Sequence, residues 1–355
     1  MTGAVVYYVS GHGYGHAIRA AEVLRRLVEF RAPHSIHVRT AAPPAIFAGR
    51  CPGVKVHRAA LDSLIVEEDR SLRINPLATL EHLREFLAGR SRIVSREVSF
   101  LRRQNASLVV SDIPFLAGEI ARAAGLPCLG IANFTWDWAF EPYFQAWPRF
   151  SPLQAAIREG YARMRLLLQL PFGHSERLEM FPEVRRVPLI ARRSSLPAAE
   201  ILRRIGIGPG EEPPLRVLVP MRASLPQSTW ENVVARCRGC FFLHFDSAAN
   251  LPASRGRFVR LGPKLSFPDV LKVSDVVVSK LGYGILADCV ANAKPILYPP
   301  RVNFREDEIL EPGARRYLPA LRIRAADFWA GRWARPLRRL REMPQTAEKL
   351  DDSGG

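Results

Sequence analysis

From residue 4 to about 145, short apolar runs alternate with longer stretches of helical period, which restricts the chain to strand–helix–strand units built around a parallel sheet. Residues 5–9 read as the first strand. Residues 15–29 then place Ala17, Ala21, Leu24 and Val28 on one face and Arg19, Arg26 and Glu29 mostly elsewhere, the pattern of an amphipathic helix lying on a sheet. Further strands are expected at 35–40, 54–59, 108–112 and 127–132. A long charged helix between Pro76 and about Gln104, and another after Pro114, fill the crossovers. From Trp136 to about Arg193 the sequence is aromatic and irregular, with one helix around 153–168.

The same rhythm restarts at 215. Strands are expected at 215–220, 240–245, 257–262, 273–280 and 294–300, with helices around 227–237 and from 283. Between the two halves, "GPGEEPP" is the strongest break in the chain. A length of 355 residues fits two domains. The division expected is an N-terminal lobe at 1–190, a hinge at 191–214, a C-terminal lobe at 215–342 and a flexible tail at 343–355. Doubly wound sheets bind ligands beyond the carboxyl ends of their strands, so two such lobes facing one another would enclose a cleft.

Composition narrows the partners. Apolar residues make up 48% of the sequence, yet no run approaches the ~20 residues of a membrane span. The apolar run at 5–9 lacks the basic segment and cleavage site of a leader, and the expectation is a soluble, cytoplasmic protein. The five cysteines are odd in number and dispersed, as in a reducing compartment. Cys237 and Cys240 form a lone C-x-x-C, read as the end of a helix and the start of a strand. The net charge of +17 attracts anions of any kind, but no nucleic-acid-binding signature accompanies it.

Four stretches carry candidate chemistry. In "SGHGYGH", Gly11, Gly13 and Gly15 alternate with His12, Tyr14 and His16 between a strand and a helix; a histidine there can accept a proton near neutral pH. The spacing is G-x-G-x-G, which is not the dinucleotide fingerprint. In "VVSDIPF", Asp112 either caps the following helix or orients a histidine at the same sheet edge. In "VSKLGYGILADC", Lys280 precedes a glycine turn, Gly282-Tyr283-Gly284, that opens a helix, the geometry of a phosphate site. In "YPPRVNFREDEIL", Glu306 and Glu308 follow a strand end and either accept hydrogen bonds from sugar hydroxyls or start a solvated helix.

These pieces, in this order, resemble glycosyltransferases of the GT-B architecture, two Rossmann-like lobes facing across a cleft. The likeness is narrower to the glycosyltransferase-like N-terminal half of plant L-arabinokinases and to free-standing bacterial relatives. It rests on "YYVSGHGYGHAIRAAEVLRRL", "VVSDIPFLAGEIARAAGLPCLGIANFTWDW", "LPFGH" with "VPLIARR", and "VSKLGYGILADCVANAKPILYPPRVNFREDEIL". The resemblance implies an acceptor on the first lobe and a nucleotide-sugar, commonly UDP-linked, on the second. It implies an inverting hexosyl or N-acetylhexosaminyl transfer with no cofactor or bound metal. His16 would be the base, with His12 second and Asp112 in support. The turn at 282–284 with Lys280 would take the diphosphate, and Glu306 or Glu308 would contact the donor sugar. The loop after strand 215–220 reads "VPMRASLPQ", poorer in glycine than is usual there, with Arg222 as its phosphate contact.

Two other functions remain open at this level: binding of a nucleotide-sugar or sugar-phosphate without turnover, and transfer to a lipid-linked acceptor at an anionic membrane surface. The second rests on "DFWAGRWARPLRRLREM", in which Trp329 and Trp333 interleave with arginines. The same segment also reads as the C-terminal helix that packs back across the first lobe in GT-B proteins.

Overall fold

The computed structural model describes residues 3–30, 35–63, 65–68, 72–208, 210, 215–221, 225–245, 258–260, 265–346 and 348–352. The chain divides into two compact units: Met1–Ile190 with Val302–Ile309 and Asp351–Gly355, and Ala191–Arg301 with Leu310–Leu350.

The first unit begins β1 (Ala4–Val9), α1 (Gly15–Glu29), β2 (Ile36–Thr40), β3 (Lys55–Arg58), α2 (Pro76–Ala88), α3 (Arg90–Arg103) and β4 (Ala106–Asp112). It continues α4 (Leu116–Ala124), β5 (Cys128–Ala132), α5 (Trp136–Ala139), α6 (Glu141–Ala146), α7 (Ser151–Ala162), β6 (Leu166–Gln169) and β7 (Val184–Arg186). Its seven strands pair in the order β3-β2-β1-β4-β5-β6-β7, all parallel. The order reverses between β1 and β4, and at such a switch point the loops leave the sheet in opposite directions and open a crevice.

The remainder forms α8 (Ala198–Arg204), β8 (Leu215–Val219), α9 (Gln227–Arg236), β9 (Cys240–His244), β10 (Phe258–Arg260), α10 (Phe267–Val273) and β11 (Val276–Val278). After these come α11 (Tyr283–Ala291), β12 (Ile296–Tyr298), α12 (Asp307–Tyr317), β13 (Ala320–Arg322), α13 (Ala325–Trp329) and α14 (Ala334–Glu342). This sheet runs β10-β9-β8-β11-β12-β13, again wholly parallel, with its switch point between β8 and β11.

Several expectations change in detail. The helix read across 76–104 is two helices, because the chain turns at Gly89, whose N–H returns to Phe86 O at 3.1 Å. The helix read over 153–168 stops at Ala162, and Leu166–Gln169 forms β6; a leucine run suits a buried strand as well as a helix face. Residues Val302–Ile309, expected in the C-terminal lobe, belong to the first unit, where Ile74 N–H donates to Val302 O at 3.0 Å. Arg305 also fastens this segment, donating to Trp138 O at 2.8 Å and Glu141 Oε2 at 2.5 Å.

The break "GPGEEPP" falls largely outside the described residues. Within the tail read as flexible, Asp351 O accepts the Leu189 N–H at 2.8 Å and Glu348 pairs with Arg316, so these positions are held. None of the five cysteines forms a disulfide, and Cys237 and Cys240 do end α9 and begin β9. α14 packs Leu337 and Leu340 toward β12 and β13 of its own unit. Trp333 is fully buried and donates to Phe328 O, which removes it from any surface role. Among the described residues, no helix is long and apolar enough to cross a membrane.

Candidate functional site

The histidine loop leaves β1 at the switch point of the first sheet. Ser10 N–H donates to Asp112 O at 2.9 Å, so the loop starts level with the end of β4. The three glycines serve different ends. Gly13 has φ +62°, which disfavours any side chain, and a Cβ on Gly11 would lie 2.7 Å from Ala41 Cβ. A Cβ on Gly15 would meet nothing within 4 Å. Tyr14 is the N-cap of α1 and contributes no side-chain cap, so the first-turn amides of the helix are left for other partners.

His16, in the first turn of α1, places Nδ1 2.8 Å from Asp112 Oδ1. Asp112 does not cap α4; that helix starts at Leu116 with Phe115 as its N-cap. Its oxygens are instead held by Arg19, through Nε to Oδ2 at 2.8 Å and Nη2 to Oδ1 at 2.5 Å. Burial pushes the Asp112 carboxyl up, but the Arg19 charge and hydrogen bonds, together with His16, hold it below the ordinary carboxylate range. An ionised carboxylate only accepts, so in this contact His16 Nδ1–H is the donor.

Behind this dyad lies a buried polar chain. Arg19 Nη1 donates to Asn133 Oδ1 at 3.1 Å, and Asn133 Nδ2 donates to Glu306 Oε1 at 3.1 Å. Arg19 is only 4% exposed, although the sequence pattern set it off the apolar face of α1. Its signal was positional: an arginine three residues after His16 shares that residue's side of a helix. Asn133 follows β5 with no motif to mark it.

His12 faces a wall of aromatic rings. Its ring meets Trp136 edge-on at 6.0 Å, and Trp136 packs in turn on Phe134 and Phe140 at 5.0 Å each. His12 N–H donates to Ser10 Oγ at 3.1 Å, so its backbone closes the loop, whereas the ring of His16 lies 2.8 Å from Asp112 Oδ1. Asp62, which the sequence did not single out, is also buried near this loop. Burial pushes its carboxyl above the ordinary range, only partly offset by Ser10 and His16, and Oδ2 has no hydrogen-bond partner among the described residues.

The second unit repeats the arrangement after β11. The turn at 282–284 is not tight: Gly282 is extended (φ −150°, ψ 152°) and caps α11, which starts at Tyr283 and so includes Gly284. A Cβ on Gly282 or Gly284 would meet open space, so packing does not require either glycine. Lys280 is half-buried between β11 and α11. Arg222 lies outside the described residues. Glu306 is buried against Asn133 in the first unit, whereas Glu308 is exposed and, among the described residues, its side chain reaches Arg305 at 3.5 Å. No group of three or more His, Cys, Asp or Glu among the described residues is arranged to hold a metal ion.

Residues 3–136 match the family model described as "Glycosyl transferase family 1". An L-arabinokinase from Arabidopsis thaliana is 29% identical over 340 residues, which cover 94% of this chain and 32% of that protein. The chain thus spans about a third of the length of this curated relative. The glycosyltransferase VinC, solved in complex with dTDP, superimposes with a TM-score of 0.61 at 17% identity, covering 96% of this chain and 92% of the other. Phytolacca americana UGT2, complexed with UDP-2fluoro-glucose and pterostilbene, gives a TM-score of 0.58 at 14% identity, covering 96% and 94%. The chain therefore has the GT-B glycosyltransferase fold, with two Rossmann-like units, and bears out the resemblance read from its motifs.

Proposed function

We propose that the chain is an inverting glycosyltransferase that moves a hexosyl or N-acetylhexosaminyl group from a nucleotide-sugar, UDP-linked, to an acceptor hydroxyl. The observation that carries this reading is the 2.8 Å contact between His16 Nδ1 and the ionised Asp112; with Nδ1–H donating there, Nε2 is the nitrogen assigned as the base. Nε2 takes the acceptor proton as the acceptor oxygen forms its bond to the anomeric carbon. The bond from that carbon to the phosphate oxygen breaks, and the nucleoside diphosphate leaves with the electron pair. Asp112 stabilises the imidazolium, as the carboxylate of a catalytic triad does.

In this reading the first-turn amides of α11 and the charge of Lys280 receive the diphosphate, so a resident metal is not required. The complexes of VinC with dTDP and of UGT2 with a UDP-sugar support a nucleotide-sugar donor. Glu306 supports the site through Asn133, and Glu308 is the more accessible of the two carboxylates for a sugar hydroxyl.

One observation favours binding without turnover. Arg19 occupies both oxygens of Asp112 and brings Nη2 to 3.2 Å from His16 Nδ1, so a proton gained by His16 arrives beside a cation. A panel of UDP- and dTDP-sugars, followed by calorimetry and by NMR of the products, separates the two. Transfer or hydrolysis with inversion at the anomeric carbon is the expected result. Tight binding with no product over hours would establish the second reading, and retention would exclude the direct displacement.

A further inference from the structure

The amino edge of the second sheet, at the opposite end of its strands from the turn that opens α11, carries a groove of about 460 Å³. That volume is in the range of small-molecule sites. It opens where β8, β11 and β12 begin, and its polar lining is Arg216, Ser274, Asp275, Lys294, Arg341 and Gln345. Three cations face one carboxylate there. Asp275 is already engaged, because Arg216 donates to it through Nε at 3.1 Å and Nη2 at 2.9 Å. Lys294 Nζ donates to Ser274 O at 2.7 Å and Lys272 O at 2.9 Å, which leaves the third ammonium proton for another acceptor.

The helix that borders the groove has an unusual charge pattern. Arg335, Arg338, Arg339 and Arg341 of α14 are all exposed, and none has a carboxylate partner among the described residues. Their spacings of three and four residues set like charges beside one another, which weakens an isolated helix. Other helices compensate such positions, as in Arg25 with Glu22 and Glu29, Arg163 with Glu159, and Arg315 with Glu311. Of these arginines Arg341 lines the groove, where its guanidinium lies with Lys294 and without a carboxylate partner among the described residues, the chemistry that suits an anion.

We propose that this groove binds a compact phosphorylated ligand, a phosphomonoester or diphosphate, held by Arg341 and the third ammonium proton of Lys294, with the Arg216–Asp275 pair as part of the wall. It is a second anion site, separate from the donor turn. The same phosphate chemistry is presented by a free metabolite or by a lipid headgroup, and the groove's size favours the free molecule.

Titration of the full chain with inorganic pyrophosphate, in the presence of saturating UDP, tests this directly. The wild type is expected to bind one equivalent. Arg341→Ala should weaken it about tenfold, the loss of one charge-assisted hydrogen bond. Arg338→Ala, on the same helix but outside the groove, should change it less than about twofold. Absence of saturable binding, an unchanged Arg341→Ala variant, or equal losses in the two variants would each overturn the site. So would pyrophosphate binding that UDP abolishes, or sedimentation with phosphatidylserine vesicles in the absence of pyrophosphate binding. If UDP itself does not bind, the donor assignment fails, while the comparison of the two arginine variants still decides the groove.

Discussion

Arg19 grips Asp112 with two parallel hydrogen bonds, at 2.8 Å and 2.5 Å, and both side chains are buried. Removing one partner of such a pair strands the other charge in the interior, which costs about 3–5 kcal/mol. Arg19→Met and Asp112→Asn are each expected to lose about that much in denaturant unfolding. The double variant should recover part of the loss, giving a coupling energy well above 1 kcal/mol. Simple additivity of the two losses would contradict a direct pair.

His174 is stacked on Trp138 and accepts the Thr135 N–H at Nε2, at 3.1 Å. Burial lowers its pKa from 6.5 to about 4. Between those values the unfolded chain binds the proton and the folded chain does not, so folding stability is complete above about 6.5 and falls as the pH drops toward 4. The loss is on the order of 3 kcal/mol. Unfolding measured from pH 7.5 to 4 should show this slope, and His174→Gln should flatten it. Asp112, whose folded pKa is depressed, adds a separate loss at still lower pH.

Helices α4 and α7 meet backbone to backbone. A Cβ on Gly118 would lie 2.1 Å from Gly160 O, and one on Gly160 would lie 2.6 Å from Phe115 O. Neither obstacle is a side chain that can swing away. Gly118→Ala is expected to cost at least about 2–3 kcal/mol, read as a fall in Tm.

The loop glycines should separate by mechanism. Gly13→Ala forces a side chain into φ +62° and is expected to lose about 1 kcal/mol. Gly15→Ala has open space and a helical conformation, so its stability should stay level or rise slightly. Equal losses at the two positions would contradict the geometry given for the loop.

How far the sequence foretold this structure depended on the kind of signal. Alternating strand and helix periods gave both parallel sheets, and glycines between strand and helix marked both switch points. The His16–Asp112 contact is one of the two readings the sequence leaves open for Asp112, since each residue sits beside a strand end of one sheet edge. Arg19 was misplaced because a buried arginine contradicts the apolar-face pattern until its partner is known. Asn133 and Glu306 meet across 173 positions of sequence, a pairing that no local pattern encodes. Within the aromatic segment from Trp136, all four residues of α5 are buried, so it has no exposed face from which to read a period, and β6 is hidden because its leucine run suits a helix face as well as a strand.

Replacing His16 by alanine tests the base assignment most directly. With whichever nucleotide-sugar the wild type turns over, His16→Ala should reduce the rate about 10²–10⁴-fold. Donor binding, measured by calorimetry on the same sample, should stay within about twofold, because the diphosphate is assigned to the second unit. Undiminished turnover by His16→Ala would contradict the role given to this histidine.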